Sequence, residues 1–160
     1  MASQGASVRL AALDHDAMTA RAQLQEAHDA CLALCVELES IADGLPTLPA
    51  PARVRRIGIQ FEGVAARFRQ TDIFLAGLTS VAGDQAAIET LDLIAGMHIM
   101  DALHGEDVLA ALWDCTARGT IEQADELGYM LRCFFDGCRR VVVLESLLLT
   151  LLEREVPSTS

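Results

Sequence analysis

Proline and glycine residues divide this chain into four long segments, and this division constrains the fold more than any other feature. The stretch "DGLPTLPAPA" ends the first segment, "AGD" around Gly83 ends the second, and "RGT" around Gly119 ends the third. All four prolines lie outside the interiors of the segments. The pattern predicts helices over residues 14–43, 52–81, 85–118 and 121–156, with flexible ends.

Each segment places apolar residues in alternating steps of three and four, which is typical of a helix buried along one side. In the first segment this stripe is Leu24, His28, Cys31, Cys35, Leu38 and Ala42. In the second it is Ile57, Phe61, Val64, Phe68, Thr71, Leu75 and Leu78. In the fourth it is Leu127, Leu131, Phe134, Cys138, Val141, Glu145, Leu148 and Leu152.

The third segment allows two stripes. One is Leu91, Ala95, His98, Ala102, Gly105, Leu109 and Leu112, and the other is Ile94, Met97, Asp101, His104, Val108 and Cys115. Four helices of similar length with short connections predict one all-α domain over residues 1–160, an antiparallel up-down-up-down four-helix bundle. An apolar content of 52% with only 4% aromatic residues favours helices over a sheet.

The net charge of −11 argues against nucleic acid or an anionic membrane as the partner, because both bind basic surfaces. The basic cluster of Arg53, Arg55 and Arg56 is predicted to be a solvated helix face. The N-terminal stretch has no signal-peptide pattern, and the longest apolar run is interrupted by Glu145 and too short to span a bilayer. We therefore expect a cytoplasmic protein.

The five cysteines form no Cys-x-x-Cys pair, so the sequence supports neither a disulfide framework nor a zinc-finger pattern. Cys31, Cys35 and Cys138 lie on the inward stripes and are expected to act as small, inert, buried apolar residues. No nucleophile with a neighbouring base and no glycine-rich phosphate loop is evident. We do not expect an enzyme.

Glu145 interrupts the apolar run "CRRVVVLESLLLTLLERE" on the inward stripe of the fourth helix. An unpartnered carboxylate costs several kcal/mol to bury, so a partner or solvent is required. His28 lies on the inward stripe of the first helix at a similar height, and Asp101 and His104 are expected near the same level. Two interpretations stay open: Glu145 meets an arginine such as Arg69 or reaches solvent, or it is a metal ligand.

The stretches "AHDACLALCVELESIADGLP", "LHGEDVLAALW" and "LGYMLRCFFDGCRRVVVLESLLLTLLERE" resemble the hemerythrin-like, or HHE cation-binding, domain of bacteria. That family is a four-helix bundle that holds two irons with His and carboxylate ligands, which implies oxygen binding or iron and oxygen sensing. The resemblance implies that ligands remain at His28, His104 and Glu145, with Asp101 as a possible fourth. The family's histidine in the fourth helix is replaced by Val141.

The second helix departs from the family, because Ala65 and Arg69 lie near its expected ligand places and no histidine lies between His28 and His98. Our first hypothesis is therefore a non-catalytic bundle with a degenerate di-iron site, no cofactor, and a regulatory or protein-interaction role. The alternative is an iron- or oxygen-sensing protein that binds metal with His28, Asp101, His104 and Glu145.

Two further expectations concern surfaces. His98 is expected to be a helix-packing or surface residue. Val142, Leu149 and Leu151 are expected to face outward on the last helix, where they could form the seam of a homodimer. The partner is otherwise unknown.

Overall fold

The structure, a computed structural model, describes residues 2–82 and 84–155, with side chains described between residues 18 and 152 except at 20, 78 and 81–83. The described residues contain the helices α1 (Ala2–Gly44), α2 (Pro51–Ala82), α3 (Gln85–Arg118) and α4 (Ala124–Glu155), and no strand. The predicted all-α class is confirmed, as are the bounds of α3. The predicted start of the first helix at residue 14 was wrong, and α4 begins three residues after the predicted 121. The predicted end at 156 lies outside the described residues.

Local chemistry accounts for the helix ends. The Asp84 carboxylate accepts hydrogen bonds from the backbone N–H groups of Ala86 and Ala87, each at 3.2 Å, and so caps the start of α3. Gly119 ends the same helix in the left-handed conformation, with φ of 68°, which glycine adopts at little cost. Pro51 begins α2, where its missing N–H has no helical partner to lose.

The order of contacts along neighbouring helices gives the topology. His28 of α1 meets Glu145 of α4, whereas Asp43 near the end of α1 meets Arg132 near the start of α4. The same opposed order relates α2 to α3 through the pairs Asp72–His98 and Phe61–Gly105. Each helix packs against its neighbours in sequence, α1 also packs against α4, and α2 approaches α4 across the middle. These contacts fit the predicted up-down-up-down bundle.

The predicted stripes of α1 and α4 are buried in full. In α2, Phe61 is only half-buried, and Leu78 lies outside the described side chains. In α3 the buried face lies between the two predicted stripes and takes residues from both: Leu91, Gly105 and Leu112 from one, Ile94 and Val108 from the other. The helix therefore presents its apolar residues to both α2 and α4.

The buried apolar residues form two clusters. The larger cluster lies toward the α1–α2 connection and includes Leu34, Leu38 and Phe134. The smaller cluster lies toward the α2–α3 connection and includes Leu75 and Leu148. A layer of polar side chains separates them, and this layer contains the candidate site described below.

Two surface predictions need correction. Val142 and Leu149 are 9% and 7% exposed rather than outward-facing, because α4 packs against both α1 and α3 and so buries a wide face. Leu151 is 54% exposed, as predicted. Arg53 is not simply solvated: its Nε donates a 2.8 Å hydrogen bond to Glu37, which joins the end of α1 to the start of α2.

No stretch of the described helices combines the length and apolar character that crossing a bilayer requires.

Candidate metal site

Four polar side chains, one from each helix, meet between the two apolar clusters. His28 Nε2 lies 2.8 Å from Glu145 Oε2, which confirms that the two residues share a level in the bundle. His98 Nε2 lies 3.4 Å from the other carboxylate oxygen, Glu145 Oε1. His98 Nδ1 lies 2.9 Å from Asp72 Oδ1. We call these four residues the polar layer.

Glu145 is the centre of the polar layer. It is completely buried, and in the described part of the chain its ion-pair partners are the two histidines rather than an arginine. The expected partner Arg69 is exposed and borders a cavity instead. Two imidazole rings, one from α1 and one from α3, therefore offset the cost of burying this carboxylate. A protonated imidazole supplies the opposite charge.

His98 is held from two sides. Its ring stacks on Phe68, with centroids 4.3 Å apart, and its Nδ1 faces the Asp72 carboxylate. Its side chain is 8% exposed, so of the two predicted alternatives, a helix-packing or a surface residue, the helix-packing one is confirmed. A carboxylate on one ring nitrogen fixes the orientation of the other, as in many metal-binding histidines. In this bundle it directs His98 Nε2 at Glu145.

Two atoms of the polar layer lack hydrogen-bond partners in the described part of the chain. They are His98 Nε2 and Glu145 Oε1, the same two atoms that face each other at 3.4 Å. Buried polar atoms of this kind are uncommon and indicate an unfilled interaction. Asp72, His98 and Glu145 each offer one potential ligand atom within 4.8 Å of the others. The three residues have the composition and spacing of a small metal site.

The structure does not bring Asp101 and His104 into this cluster. Asp101 lies opposite Gly137 and His104 packs edge-on against Phe134, with ring centroids 5.9 Å apart. At 1.5 Å per residue, Gly137 is about 12 Å from Glu145 along α4. The antiparallel register places His98, not Asp101 or His104, at the level of Glu145. Burial raises the pKa of the Asp101 carboxyl.

A cavity of about 250 Å³ adjoins the polar layer between α2, α3 and α4. Its lining is mostly apolar and includes Phe61, Phe68 and Val141, while Asp72 and His98 border it from the polar layer. Small molecules can therefore approach the faces of Asp72 and His98 without crossing the larger apolar cluster.

A second group of potential ligands lies within the larger apolar cluster. Cys31, Cys35 and Cys138 are buried, and their sulfur atoms all lie within 4.8 Å of one another. The expected burial of these cysteines is confirmed. Their mutual contact could not be predicted from separate stripes, because it depends on the register between α1 and α4.

Sequence reasoning identified His28 and Glu145 but missed His98 and Asp72. The signal for His98 was present, since the residue belongs to one of the two stripes predicted for α3. Asp72 carries no comparable signal, because it directly follows the buried Thr71 and lies at the edge of the α2 stripe. Only the packing of α2 against α3 shows that it reaches His98.

Comparisons of the chain with protein-family models, with curated proteins and with solved structures found no match. The resemblance to hemerythrin-like domains therefore stays a prediction.

Proposed function

We propose that this protein binds one divalent transition-metal ion, such as Fe²⁺, within its helical bundle and acts as a metal-responsive protein. The observation that supports this proposal most is the facing pair of buried atoms, His98 Nε2 and Glu145 Oε1, which have no other partner in the described chain. Two ligand atoms bound tetrahedrally at about 2.1 Å from a metal lie roughly 3.4 Å apart. The observed separation of 3.4 Å suits two ligands of one ion.

The surrounding residues would hold these two ligands in place. Asp72 orients the His98 ring through Nδ1, and His28 holds the second oxygen of Glu145 at 2.8 Å. Because it is bound to Nδ1, Asp72 would act on the ion through the His98 ring. An imidazole with one or two carboxylates suits Fe²⁺, Zn²⁺ or Mn²⁺ better than a soft ion such as Cu⁺.

Response rather than catalysis is the proposed role because the polar layer takes one residue from each helix. An ion bound there would link α3 and α4 directly, α2 through Asp72 and α1 through His28. Binding to the native state alone stabilises the fold by an amount that rises with the logarithm of the ion concentration divided by Kd. Metal occupancy would therefore change the stability of the whole bundle, which a partner protein can sense.

The first experiment is elemental mass spectrometry of protein purified without a metal-affinity tag, with visible spectra recorded in air and after reduction. Anaerobic titrations with Fe²⁺, and with Co²⁺ as a coloured probe, then measure affinity and the shift in Tm. We expect one ion per chain and a rise in Tm. Glu145→Gln and His98→Gln should abolish binding, and Asp72→Asn should weaken it by about 10–100-fold.

His104→Gln is the matched control, because His104 is also a half-buried histidine of α3 but lies away from the polar layer. It should bind metal as the wild type does. A chain that is isolated without metal, shows no Tm shift with either ion and is nevertheless destabilised by His98→Gln would contradict the proposal. The polar layer would then be a purely structural hydrogen-bond network.

A second candidate function, protein interaction, is favoured by exposed apolar residues on α4. Val143, Leu147 and Leu151 follow one another at steps of four and are each more than half exposed. Such a stripe suits a homodimer or a helical partner. Light scattering should give a dimer mass that Leu147→Glu lowers, whereas Ile73→Glu on the exposed face of α2 should not change it. A monomer at all concentrations would exclude the homodimer.

A further inference from the structure

The three buried cysteines form a site of their own within the larger apolar cluster. Cys31 and Cys35 lie one turn apart on α1, and Cys138 approaches them from α4. Cys31 and Cys35 are completely buried and Cys138 is 5% exposed. Their sulfur atoms all lie within 4.8 Å of one another. This trithiol cluster is separate from the polar layer, and none of its residues has a role in the function proposed above.

The number of ligands restricts what the trithiol cluster can bind. Three sulfur atoms suit a soft ion, because thiolates are the preferred ligands of thiophilic metals. A structural zinc ion takes four protein ligands, and the described residues supply no fourth His, Cys, Asp or Glu to this group. The cluster therefore fits an ion that accepts three sulfurs and no further ligand.

Charge restricts the ion further. Three thiolates around a monovalent copper ion carry a net charge of −2, and around a divalent ion −1, which is costly in an apolar core. The charged groups nearest the cluster do not remove this cost: Glu145 is the charged neighbour of Cys31, and Arg139 near Cys35 is already paired with Glu39 at 2.7 Å. A trivalent ion with three thiolates is neutral.

The protonation of the thiols agrees with a neutral product. Contact with Cys31 and Cys35, together with burial, raises the pKa of Cys138 far above its usual range. The Cys138 contact favours the Cys31 thiolate, but the Cys35 contact and burial outweigh it and raise the pKa of Cys31 to about 12. Hydrogen bonds from Cys138 and Cys31 lower the pKa of Cys35. Burial and mutual contact therefore favour protonated thiols at Cys31 and Cys138 before an ion binds.

We propose that Cys31, Cys35 and Cys138 form a buried site for one trivalent arsenic or an ion of the same thiophilic chemistry. Arsenous acid, As(OH)₃, exchanges three As–O bonds for three As–S bonds. Each hydroxyl group takes the proton of one thiol and leaves as water. If Cys35 is already a thiolate, the third hydroxyl takes its proton from solvent instead. Arsenic stays in the +3 state, so no oxidant or reductant is needed.

The cavity beside the polar layer supplies a route to this site. Cys138 borders the cavity of about 250 Å³ between α2, α3 and α4. Arsenous acid is small and uncharged, so it can enter an apolar cavity at a lower desolvation cost than a hydrated metal cation. The first As–S bond would form at Cys138, and the two α1 cysteines would complete the site.

The test uses the full, reduced chain and arsenite, added both to the folded protein and during refolding from urea. Native mass spectrometry should show a gain of one arsenic less three hydrogens, and the number of thiols that react after unfolding in urea should fall from five to two. Ultraviolet absorption should report the As–S bonds. Cys31→Ala and Cys138→Ala should lose this one-to-one complex while circular dichroism shows that they remain helical.

Cys115→Ala and Cys133→Ala are matched controls, because both cysteines are half-buried and outside the cluster. They should bind arsenite as the wild type does, and the cluster variants should bind Fe²⁺ as the wild type does, which separates this inference from the proposed function. Five reactive thiols after both treatments would overturn the proposal. So would a one-to-one complex with Cu⁺ or Zn²⁺ on these cysteines where arsenite forms none.

Discussion

The polar layer and the larger apolar cluster are both deeply buried, but different forces constrain them. In the polar layer, the completely buried Glu145 carboxylate has one oxygen 2.8 Å from His28 and the other 3.4 Å from His98. In the apolar cluster, Phe61 lies directly over Gly105, and the constraint is the space available. Two equally buried regions can therefore differ in the substitutions that they tolerate. One region should respond to the loss of a partner, and the other to the gain of a single carbon atom.

The largest effect is expected from His28→Leu. This change leaves Glu145 Oε2 buried without its 2.8 Å partner, and breaking a buried pair from one side costs about 3–5 kcal/mol. Urea unfolding measures the loss. The double change His28→Leu with Glu145→Leu should recover much of it, since no unpartnered carboxylate remains. His104→Leu, outside the polar layer, is the control, and an equal loss there would show that the cost is not due to the pairing.

Gly105→Ala tests the apolar cluster in the opposite way. A Cβ atom at this position would overlap the Phe61 ring, and overpacking of this kind costs about 1–3 kcal/mol. Gly96→Ala on the same helix meets nothing and should be neutral or stabilise the helix. Thermal unfolding of both variants, and of Gly105→Ala combined with Phe61→Leu, measures the difference. If both glycine variants unfold alike, the close contact does not limit the packing.

Cys31 tests whether its position behaves as part of the polar layer or of the apolar cluster. It lies one turn from His28 but belongs to the larger apolar cluster. If its thiol acts as a small apolar group, Cys31→Ala should cost about 1 kcal/mol through the lost contacts. Cys31→Ser should lower the free energy of unfolding by more, about 1–3 kcal/mol, because a hydroxyl buried without a hydrogen-bond partner loses its hydration. Urea unfolding of the reduced proteins measures both. If Cys31→Ser is more stable than Cys31→Ala, the surroundings of Cys31 in the trithiol cluster are polar and not apolar.

The smallest effect is expected from Asp101→Asn, at the border between the two regions. Burial raises the pKa of Asp101 above its ordinary 3.8, so the folded protein binds a proton more readily than the unfolded chain. The free energy of unfolding should then fall as pH rises through the window between the two pKa values. Asp101→Asn should remove this part of the slope and change stability by less than about 1 kcal/mol at neutral pH.

The measurement for Asp101→Asn is urea unfolding from about pH 4 to about pH 7. Asp107→Asn, an exposed acid of the same helix, should keep the wild-type slope. If the free energy of unfolding falls more steeply with pH in Asp101→Asn than in wild type, the pKa of Asp101 is lowered by folding and not raised.

Periodicity and breakers were sufficient to predict four helices, their inward faces in α1 and α4, and the approach of His28 to Glu145. These features depend on spacing within one helix and on antiparallel order, and both can be derived from the order of residues. For α3 the sequence allowed two inward faces, because two stripes overlap on a helix that packs against two neighbours.

The partners of Glu145 and of the cysteines could not be obtained in this way. Whether His98 or His104 meets Glu145 depends on how far α3 slides along α4, and one or two turns of slide exchange one histidine for the other. The contact of Asp72 with His98 depends in the same way on the register between α2 and α3, and that of Cys138 with Cys31 on the register between α4 and α1. Residue spacing thus determines which side of each helix faces inward, whereas close packing between helices sets their register and so the composition of both sites.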